Sequence, residues 1–350
     1  MTSPIIFAHL IKGIQLYQQN QLEAAKIELL AVLKSEPDSE LATRYLTEIA
    51  INQGTSLSYI EQLKTCLIQH PNSLDLYQLL AVVYQQNKLL PKAIEYYRKT
   101  LNLLLTTKPA PLKPVKPATF DQTKYETTLW QTLVLFRQHN IRSFATSGTL
   151  LGLTRDNALL PFDKDIDIGI DWGQMNLAMT LLKQNGWHEH KRSYDLINPR
   201  CFMHSNGVIL DLCGYGVDQK SQRTISGLWM ANIPFAWNRV TTYPTIDLAD
   251  KNTPFGIAWH PAKPELILQA LYGNWQVPDP HFDTVICAKN LAGFSLLTQC
   301  FAYSRIYILW RKQKWQKVEK LLAQVRHFQS DDSLFIKLEQ ALKHQLNPLK

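Results

Sequence analysis

The sequence predicts an α/β domain with a mixed sheet, preceded by an all-α helical-repeat domain. Three observations carry that expectation: a phrase that recurs in the first hundred residues, a proline-rich seam at residues 109–117, and a later segment where aspartate alternates with isoleucine. The 350 residues are 45% hydrophobic and 19% charged, so the chain can bury two cores and disorder is not indicated for most of its length. The formal net charge of +8 favours anionic partners. It is spread along the chain rather than gathered in a block, which argues against nucleic acid.

The repeating phrase is Tyr17-Gln18-Gln19-Asn20 followed by Leu22, Ala24, Ala25, Ile27 and Glu28. It returns as Tyr84-Gln85-Gln86-Asn87 followed by Leu89, Ala93, Ile94 and Glu95. The offset from Tyr17 to Tyr84 is close to two periods of about 34 residues each, the length of a tetratricopeptide repeat. Between them, Glu36-Pro37-Asp38-Ser39 and His70-Pro71-Asn72-Ser73 mark two turns one such period apart. A helix-turn-helix pattern with that period resembles tetratricopeptide repeats, and three would span residues 4–106 with a degenerate middle one. Two roles stay open for them: a groove for a protein partner, or a bundle packed on the domain that follows. Prolines 109, 111, 114 and 117 then read as a semi-rigid linker over residues 107–121. An α/β domain is expected over residues 122–290 and a helical extension over 291–350. In that extension, Leu309-Trp310-Arg311-Lys312-Gln313 with Trp315, Val318, Leu321 and Leu322 reads as a turn entering an amphipathic helix whose packing partner is not fixed.

Beyond the linker, Thr123 and Glu126 are spaced as a capping box, and Leu129, Leu133 and Phe136 fall on one helical face running to about His139. Phe144-Ala145-Thr146 reads as a short strand. Ser147-Gly148-Thr149 then opens a helix, a turn whose unpaired amides suit phosphate. In Asp163-Lys164-Asp165-Ile166-Asp167-Ile168-Gly169-Ile170, strand alternation turns Asp163, Asp165 and Asp167 to one side and the isoleucines to a core. Two such carboxylates repel by about 1 kcal/mol in water and by more where water is excluded, so a cation is the expected neutraliser. All-oxygen ligands favour Mg²⁺ or Mn²⁺ over zinc. A calcium-binding EF-hand loop is excluded, because Ile168 and Gln174 stand where glycine and glutamate are required.

Asn206-Gly207, between two apolar runs, signals a β-hairpin, and Asp211 then lies inside its apolar second strand as the third carboxylate. His204 is a lesser candidate base, and His188 with His190 an H-x-H pair lacking a third ligand. Trp259 and His260 either line an acceptor pocket or pack beneath a loop. The five cysteines form no zinc or disulfide pattern. The N-terminus lacks a signal-peptide pattern and no apolar run reaches a membrane span, so the expected location is cytoplasmic, with at most peripheral association at the inner membrane face.

Gly148-Thr149-Leu150-Leu151-Gly152, Arg155, Leu160-Pro161-Phe162-Asp163-Lys164-Asp165-Ile166-Asp167-Ile168-Gly169 and the later Tyr272-Gly273-Asn274-Trp275-Gln276-Val277-Pro278 together resemble the signature of the LicD/fukutin family. The resemblance spans roughly residues 123–285. Phe162 departs from the family's usual tryptophan, and Lys164 from an acidic residue. The resemblance implies a nucleotidyltransferase-like core that transfers a phosphorylated alcohol, such as phosphocholine or ribitol phosphate, from a CDP-linked donor to a glycan hydroxyl, with CMP leaving. Asp165, Asp167 and Asp211 would hold Mg²⁺ or Mn²⁺, and Asp211 would also orient or deprotonate the acceptor. Ser147, Gly148, Thr149, Asp163 and Lys164 would bind the donor, and Arg155 would clamp developing charge. The context implied is cell-surface polysaccharide biosynthesis. Two alternatives remain at this point: nucleotide transfer from a nucleoside triphosphate with pyrophosphate leaving, and a non-catalytic scaffold in which the repeats do the work.

Overall fold

The computed structural model describes residues 4–108, 111, 120–161, 163–190 and 195–346, so most of the linker and Phe162 lie outside the described residues. The chain divides into two compact units, Met1–Pro111 with Gln299–Lys350, and Leu112–Thr298.

The first unit opens with six helices in three pairs: α1 (Pro4–Gln18) with α2 (Leu22–Ser35), α3 (Glu40–Gln53) with α4 (Ile60–Gln69), and α5 (Leu74–Gln86) with α6 (Leu90–Leu104). The same turn closes the first helix of every pair. The amides of Gln21, Thr55 and Leu89 donate to the carbonyls of Leu16, Ala50 and Tyr84 at 2.8–2.9 Å. The residue before each donor, Asn20, Gly54 or Lys88, has a left-handed backbone, which is the Schellman arrangement. The accepting carbonyls at Leu16, Ala50 and Tyr84 are evenly spaced along the chain, as a regular repeat requires. The tyrosine phrase falls one position short of that spacing. Asn20 itself takes the left-handed position in the first pair, whereas Lys88, one after Asn87, takes it in the third. The middle pair is irregular, inserting a 3₁₀ turn at Ser56–Tyr59 before α4. Ala25, Leu29, Val32, Ala42, Leu46 and Ile49 form the core of the first two pairs.

The second unit holds α7 (Gln122–Gln138), β1 (Ser143–Ala145), α8 (Ser147–Arg155), β2 (Ile166–Asp171), α9 (Met175–Gln184), β3 (Trp187–Glu189), β4 (Leu196–Asn198), β5 (Arg200–His204), β6 (Ile209–Val217), β7 (Thr224–Met230), β8 (Arg239–Tyr243), β9 (Leu248–Thr253), β10 (Gly256–Pro261) and α10 (Pro264–Tyr272). Helix α7 is capped by Asp121, whose carboxylate accepts from the Lys124 amide at 3.1 Å, so Thr123 is not the cap. Glu126 accepts from the side-chain amide of Gln122 at 2.9 Å and from the Leu159 backbone amide at 3.1 Å, so it does not complete a capping box with Thr123.

The main sheet has eight strands in the path β1-β2-β6-β5-β3, with β7 joining β6, β4 and β8. Strands β2 and β6 are parallel and the other pairs antiparallel, so the sheet is mixed as expected. The β5–β6 hairpin forms at Asn206-Gly207. The Gly207 amide donates to the His204 carbonyl, and Gly207 adopts φ 88°, which a side chain would oppose.

Helices cover both faces of this sheet. Ile166, Ile168, Ile170, Phe202, Leu210 and Leu212 pack with Leu133 of α7 and Leu182 of α9. Phe144 and Tyr215 pack on the other face with Leu150 of α8 and Leu268 of α10. Gly169 lies on this second face, where a Cβ would come within 2.7–2.8 Å of the Phe144 and Tyr215 rings.

The chain then returns to the first unit through α11 (Leu296–Arg311), α12 (Trp315–Phe328) and α13 (Ser333–Leu346). The turn between α11 and α12 repeats the arrangement above, with Lys314 donating to Leu309 at 2.9 Å and Gln313 left-handed. Within this unit, Gln78 donates to the Ser304 hydroxyl at 3.1 Å and Tyr307 donates to Asp75 at 2.7 Å. Arg98 grips Asp332 with two bonds of 2.6 and 3.1 Å. The C-terminal helices thus belong to the helical unit, which the α/β unit interrupts in sequence. Hydrogen exchange read by mass spectrometry is expected to show Arg98→Ala loosening α6 and α13 together; loosening confined to α6 would contradict one packed helical unit.

Candidate functional site

The site begins with strand register. In the parallel pairing of β2 and β6, Asp167 stands directly opposite Asp211. Both alternate with the buried Ile166, Ile168, Leu210 and Leu212, so both turn to the face shared with α8 and α10. Asp211 is only 8% exposed. Two carboxylates on neighbouring strands, about 5 Å apart, repel by about 3 kcal/mol at an effective dielectric of 20.

The backbone of Asp167 is held at both ends by the start of α8. Its amide donates to the Thr149 hydroxyl at 2.8 Å, and its carbonyl accepts from the Thr146 amide at 3.1 Å. Thr146 and Thr149 are fully buried. The Thr146 hydroxyl meets the Tyr215 hydroxyl at 2.5 Å, and burial pushes that phenol far up, so it stays neutral. Ser147, the first residue of α8, has φ 47°. A left-handed backbone in a residue with a side chain costs roughly 1–2 kcal/mol, a strain concentrated where strand β1 turns into α8.

The three aspartates of the acidic segment do not share one strand face. Strand β2 begins at Ile166, and the chain reaches it from a turn in which the Asp163 amide donates to the Leu160 carbonyl at 3.1 Å. Asp163 instead lies over the first turn of α8, where a Cβ on Gly148 would come within 2.8 Å of its Oδ2. That oxygen is buried without a hydrogen-bond partner. Burial first, and Asp165 second, push the Asp163 carboxyl up to about 6. The turn expected to cradle phosphate is therefore shared with a carboxyl group that is readily neutralised. Asp165 sits in the bend before β2. Burial first, and Asp165 second, raise the Tyr125 phenol, whose hydroxyl donates to the Lys164 carbonyl at 3.3 Å. Lys164 is exposed.

Arg155 closes the other end of α8, roughly 12 Å along the axis from Ser147. Its guanidinium makes two bonds of 2.9 Å to Asp156. Tyr272 is a participant that the reading of single residues missed, though it stands in the Tyr-Gly part of the family-like signature. It is partly buried, and its phenol is pushed far up, first by burial and then by Asp167, with Asp163 and Arg155 also within electrostatic reach.

Other candidates lie elsewhere. His204 falls on the same face of β5 as Phe202, opposite to the face carrying Asp211. Trp259 packs beneath Arg137, whose guanidinium is 4.3 Å from its ring. Among the described residues, no three His, Cys, Asp or Glu side chains converge as a ready-made metal cage, and His188 with His190 acquires no third ligand. The aligned Asp167 and Asp211 nevertheless fit Mg²⁺, an ion commonly held by one or two carboxylates plus substrate phosphates.

Two aligned acids thus stand beside the amide-bearing turn that opens a helix, in a unit with a mixed sheet. Residues 140–242 match the LicD/FKTN/FKRP nucleotidyltransferase domain, a stretch that contains Asp163, Asp165, Asp167, Asp211 and Arg155. The uncharacterized proteins RT0683 of Rickettsia typhi and RP689 of Rickettsia prowazekii are similar to this chain over 71 residues, at 37% and 34% identity. Each alignment covers 19% of this chain, which spans about a quarter of those relatives' length (23% and 27%). Among solved structures, the lincosamide adenylyltransferase LnuA bound to lincomycin is 12% identical, covering 44% of this chain and 89% of that one, at a TM-score of 0.29. The enzyme ANT(2")-Ia in complex with adenylyl-2"-tobramycin is also 12% identical, covering 55% and 99%, at the same TM-score of 0.29. Both likenesses are too slight to bear on fold or substrate.

The Asp163 carboxyl gives the site a pH signature. Its folded value of about 6 exceeds the ordinary unfolded value, so the stability its proton contributes is present below about pH 4 and lost as pH rises through 6. Asp163→Asn removes that loss. Urea denaturation with EDTA present is expected to show the variant gaining on the parent chain between pH 4 and 7; a difference independent of pH would contradict the placement of Asp163.

Proposed function

We propose that the α/β unit moves a phosphorylated alcohol from a CDP-linked donor to a glycan hydroxyl, using Mg²⁺ or Mn²⁺. The observation that carries this reading is the in-register pair Asp167 and Asp211 beside the start of α8, inside the LicD-family stretch. In the reaction, the acceptor oxygen attacks the phosphorus bearing the alcohol. The bond from that phosphorus to the CMP oxygen breaks, and the acceptor proton passes to Asp211.

Asp167, Asp165 and Asp211 would hold the metal, which neutralises charge on the diphosphate. Thr149 and Thr146 fix Asp167 so that little reorganisation is left for the reaction. The amides of Ser147 and Gly148 take a donor phosphate oxygen, and Asp163 beside them accepts a proton or the cation. Lys164, exposed next to the acids, reaches the leaving CMP phosphate. Arg155 contributes at long range unless it exchanges Asp156 for substrate.

The helical unit is read as tetratricopeptide-like, supported by the even spacing of its turns at Leu16, Ala50 and Tyr84, and as the place where a protein partner docks. No described helix is long and apolar enough to cross a membrane. The proposed setting is the cytoplasmic side, with at most peripheral attachment to the membrane carrying the acceptor.

Incubation with CDP-choline, CDP-ribitol or CDP-glycerol and Mg²⁺ is expected to release CMP in the presence of a glycan acceptor. Asp167→Asn and Asp211→Asn should each lower turnover at least a thousandfold while leaving the melting temperature unchanged or higher, because a like-charge contact is removed. Release of pyrophosphate from a nucleoside triphosphate would move the reading to nucleotide transfer. Undiminished turnover in both variants would sink the assignment.

A further inference from the structure

A cleft of about 370 Å³ opens in the α/β unit between α7, the residues entering β3, the end of β5 and the β9–β10 turn. Its wall includes Gln131, Gln138, Asn185, Trp187, His204 and Phe255. His204 and Phe202 share a strand face, and Phe202 packs with Leu129 and Leu133 of α7. The cleft is therefore on the α7 side of the sheet, whereas Asp167 and Asp211 face α8 and α10.

The chemistry of the lining is selective. No Lys, Arg, Asp or Glu is among the described lining residues, although 19% of the chain is charged. An anionic ligand would find no counter-charge there, and neither would a cationic one. A purely apolar ligand would strip water from the amides of Gln131, Gln138 and Asn185 without replacing their hydrogen bonds, which costs about 1–3 kcal/mol per group. The two glutamines lie two turns apart on α7, so they share one side of the helix about 10 Å from each other. Each amide both donates and accepts. Asn185 spends its Nδ2 on the Leu181 carbonyl at 2.8 Å, leaving its oxygen to accept.

The apolar surfaces are also placed. Trp187 is buried and backs the ring of His204 at 4.9 Å, and Nδ1 of His204 accepts from the Asn206 amide at 3.3 Å. Phe255, at the hairpin tip, is 41% exposed. A ligand with an apolar flank and a rim of uncharged hydroxyls satisfies both kinds of wall at once. We infer that this cleft binds a neutral saccharide, at a site separate from the acidic pair. The inference does not rest on the proposed reaction, because it concerns the opposite face of the sheet.

The test uses the full chain and isothermal titration with maltose, lactose, galactose and N-acetylglucosamine, with CMP as a charged comparison. At least one saccharide is expected to bind with millimolar Kd. Gln131→Ala with Gln138→Ala, and separately Phe255→Ala, should weaken it tenfold or more, while Asp211→Asn leaves it unchanged. The side chains of Gln131, Gln138 and Phe255 are exposed, and an unaltered melting temperature checks that these variants fold. Absence of binding by all four saccharides would overturn the inference. So would binding that survives the glutamine pair and is lost in Asp211→Asn, which would place the sugar at the acids instead.

Discussion

The register between β2 and β6 is the constraint on which the site depends. A slip of one residue would turn one of the two aspartates away from the other and toward the α7 core, because side chains alternate faces with a period of two. The register is held by apolar packing on the far side of the sheet. Ile166, Ile168, Ile170, Leu210 and Leu212 are fully buried there, and each such side chain is worth about 1.5–3 kcal/mol. That sum exceeds the few kcal/mol by which two adjacent carboxylates repel. The acids are thus held together by hydrophobic burial that lies behind them, without any need to attract each other.

Close approach at the front of the site follows from small residues. Gly169 lets the Phe144 and Tyr215 rings close over β2, and Gly148 lets Asp163 settle on the first turn of α8. Thr149 then links helix to strand at the one backbone amide that matters, that of Asp167. The cost of this compactness is visible in the left-handed Ser147 and in the unpartnered Oδ2 of Asp163. Both sit at the place where a substrate phosphate or a cation would have something to relieve.

Much of this was legible in the sequence, for definite reasons. The isoleucine alternation marks β2, Asn206-Gly207 marks the hairpin, and an aspartate inside an apolar run singles out Asp211. What the sequence left hidden depends on where elements start. Asp163 and Asp165 continue the alternation in sequence, yet the Leu160–Asp163 turn keeps them out of the strand. Thr123 and Glu126 have capping spacing, yet Asp121 captures the helix two residues earlier. The neutral cleft could not be read from any segment, since its walls come from α7, the β3 approach, β5 and the β9–β10 turn, brought together only by folding.

The helical unit shows how a repeat can carry an interruption. In the first pair, the amide of Glu36 closes the second helix on Val32; in the second, His70 closes on Cys66. Beyond the α/β unit, Gln329 closes on Val325. The interval from Leu16 to Val32 is the same as that from Ala50 to Cys66 and from Leu309 to Val325. The frame therefore resumes unchanged after the whole of Leu112–Thr298 has been inserted. Pairs of helices that touch only their neighbours tolerate this, because nothing in the first pair needs to know what connects α6 to α11. The contacts that carry the frame across the gap are local ones: Gln78 to Ser304, Asp75 to Tyr307 and Arg98 to Asp332. An inserted unit is tethered at both its ends, whereas a unit appended after a finished repeat array is tethered at one. The α/β unit is of the first kind, with α6 before it in the chain and α11 after it.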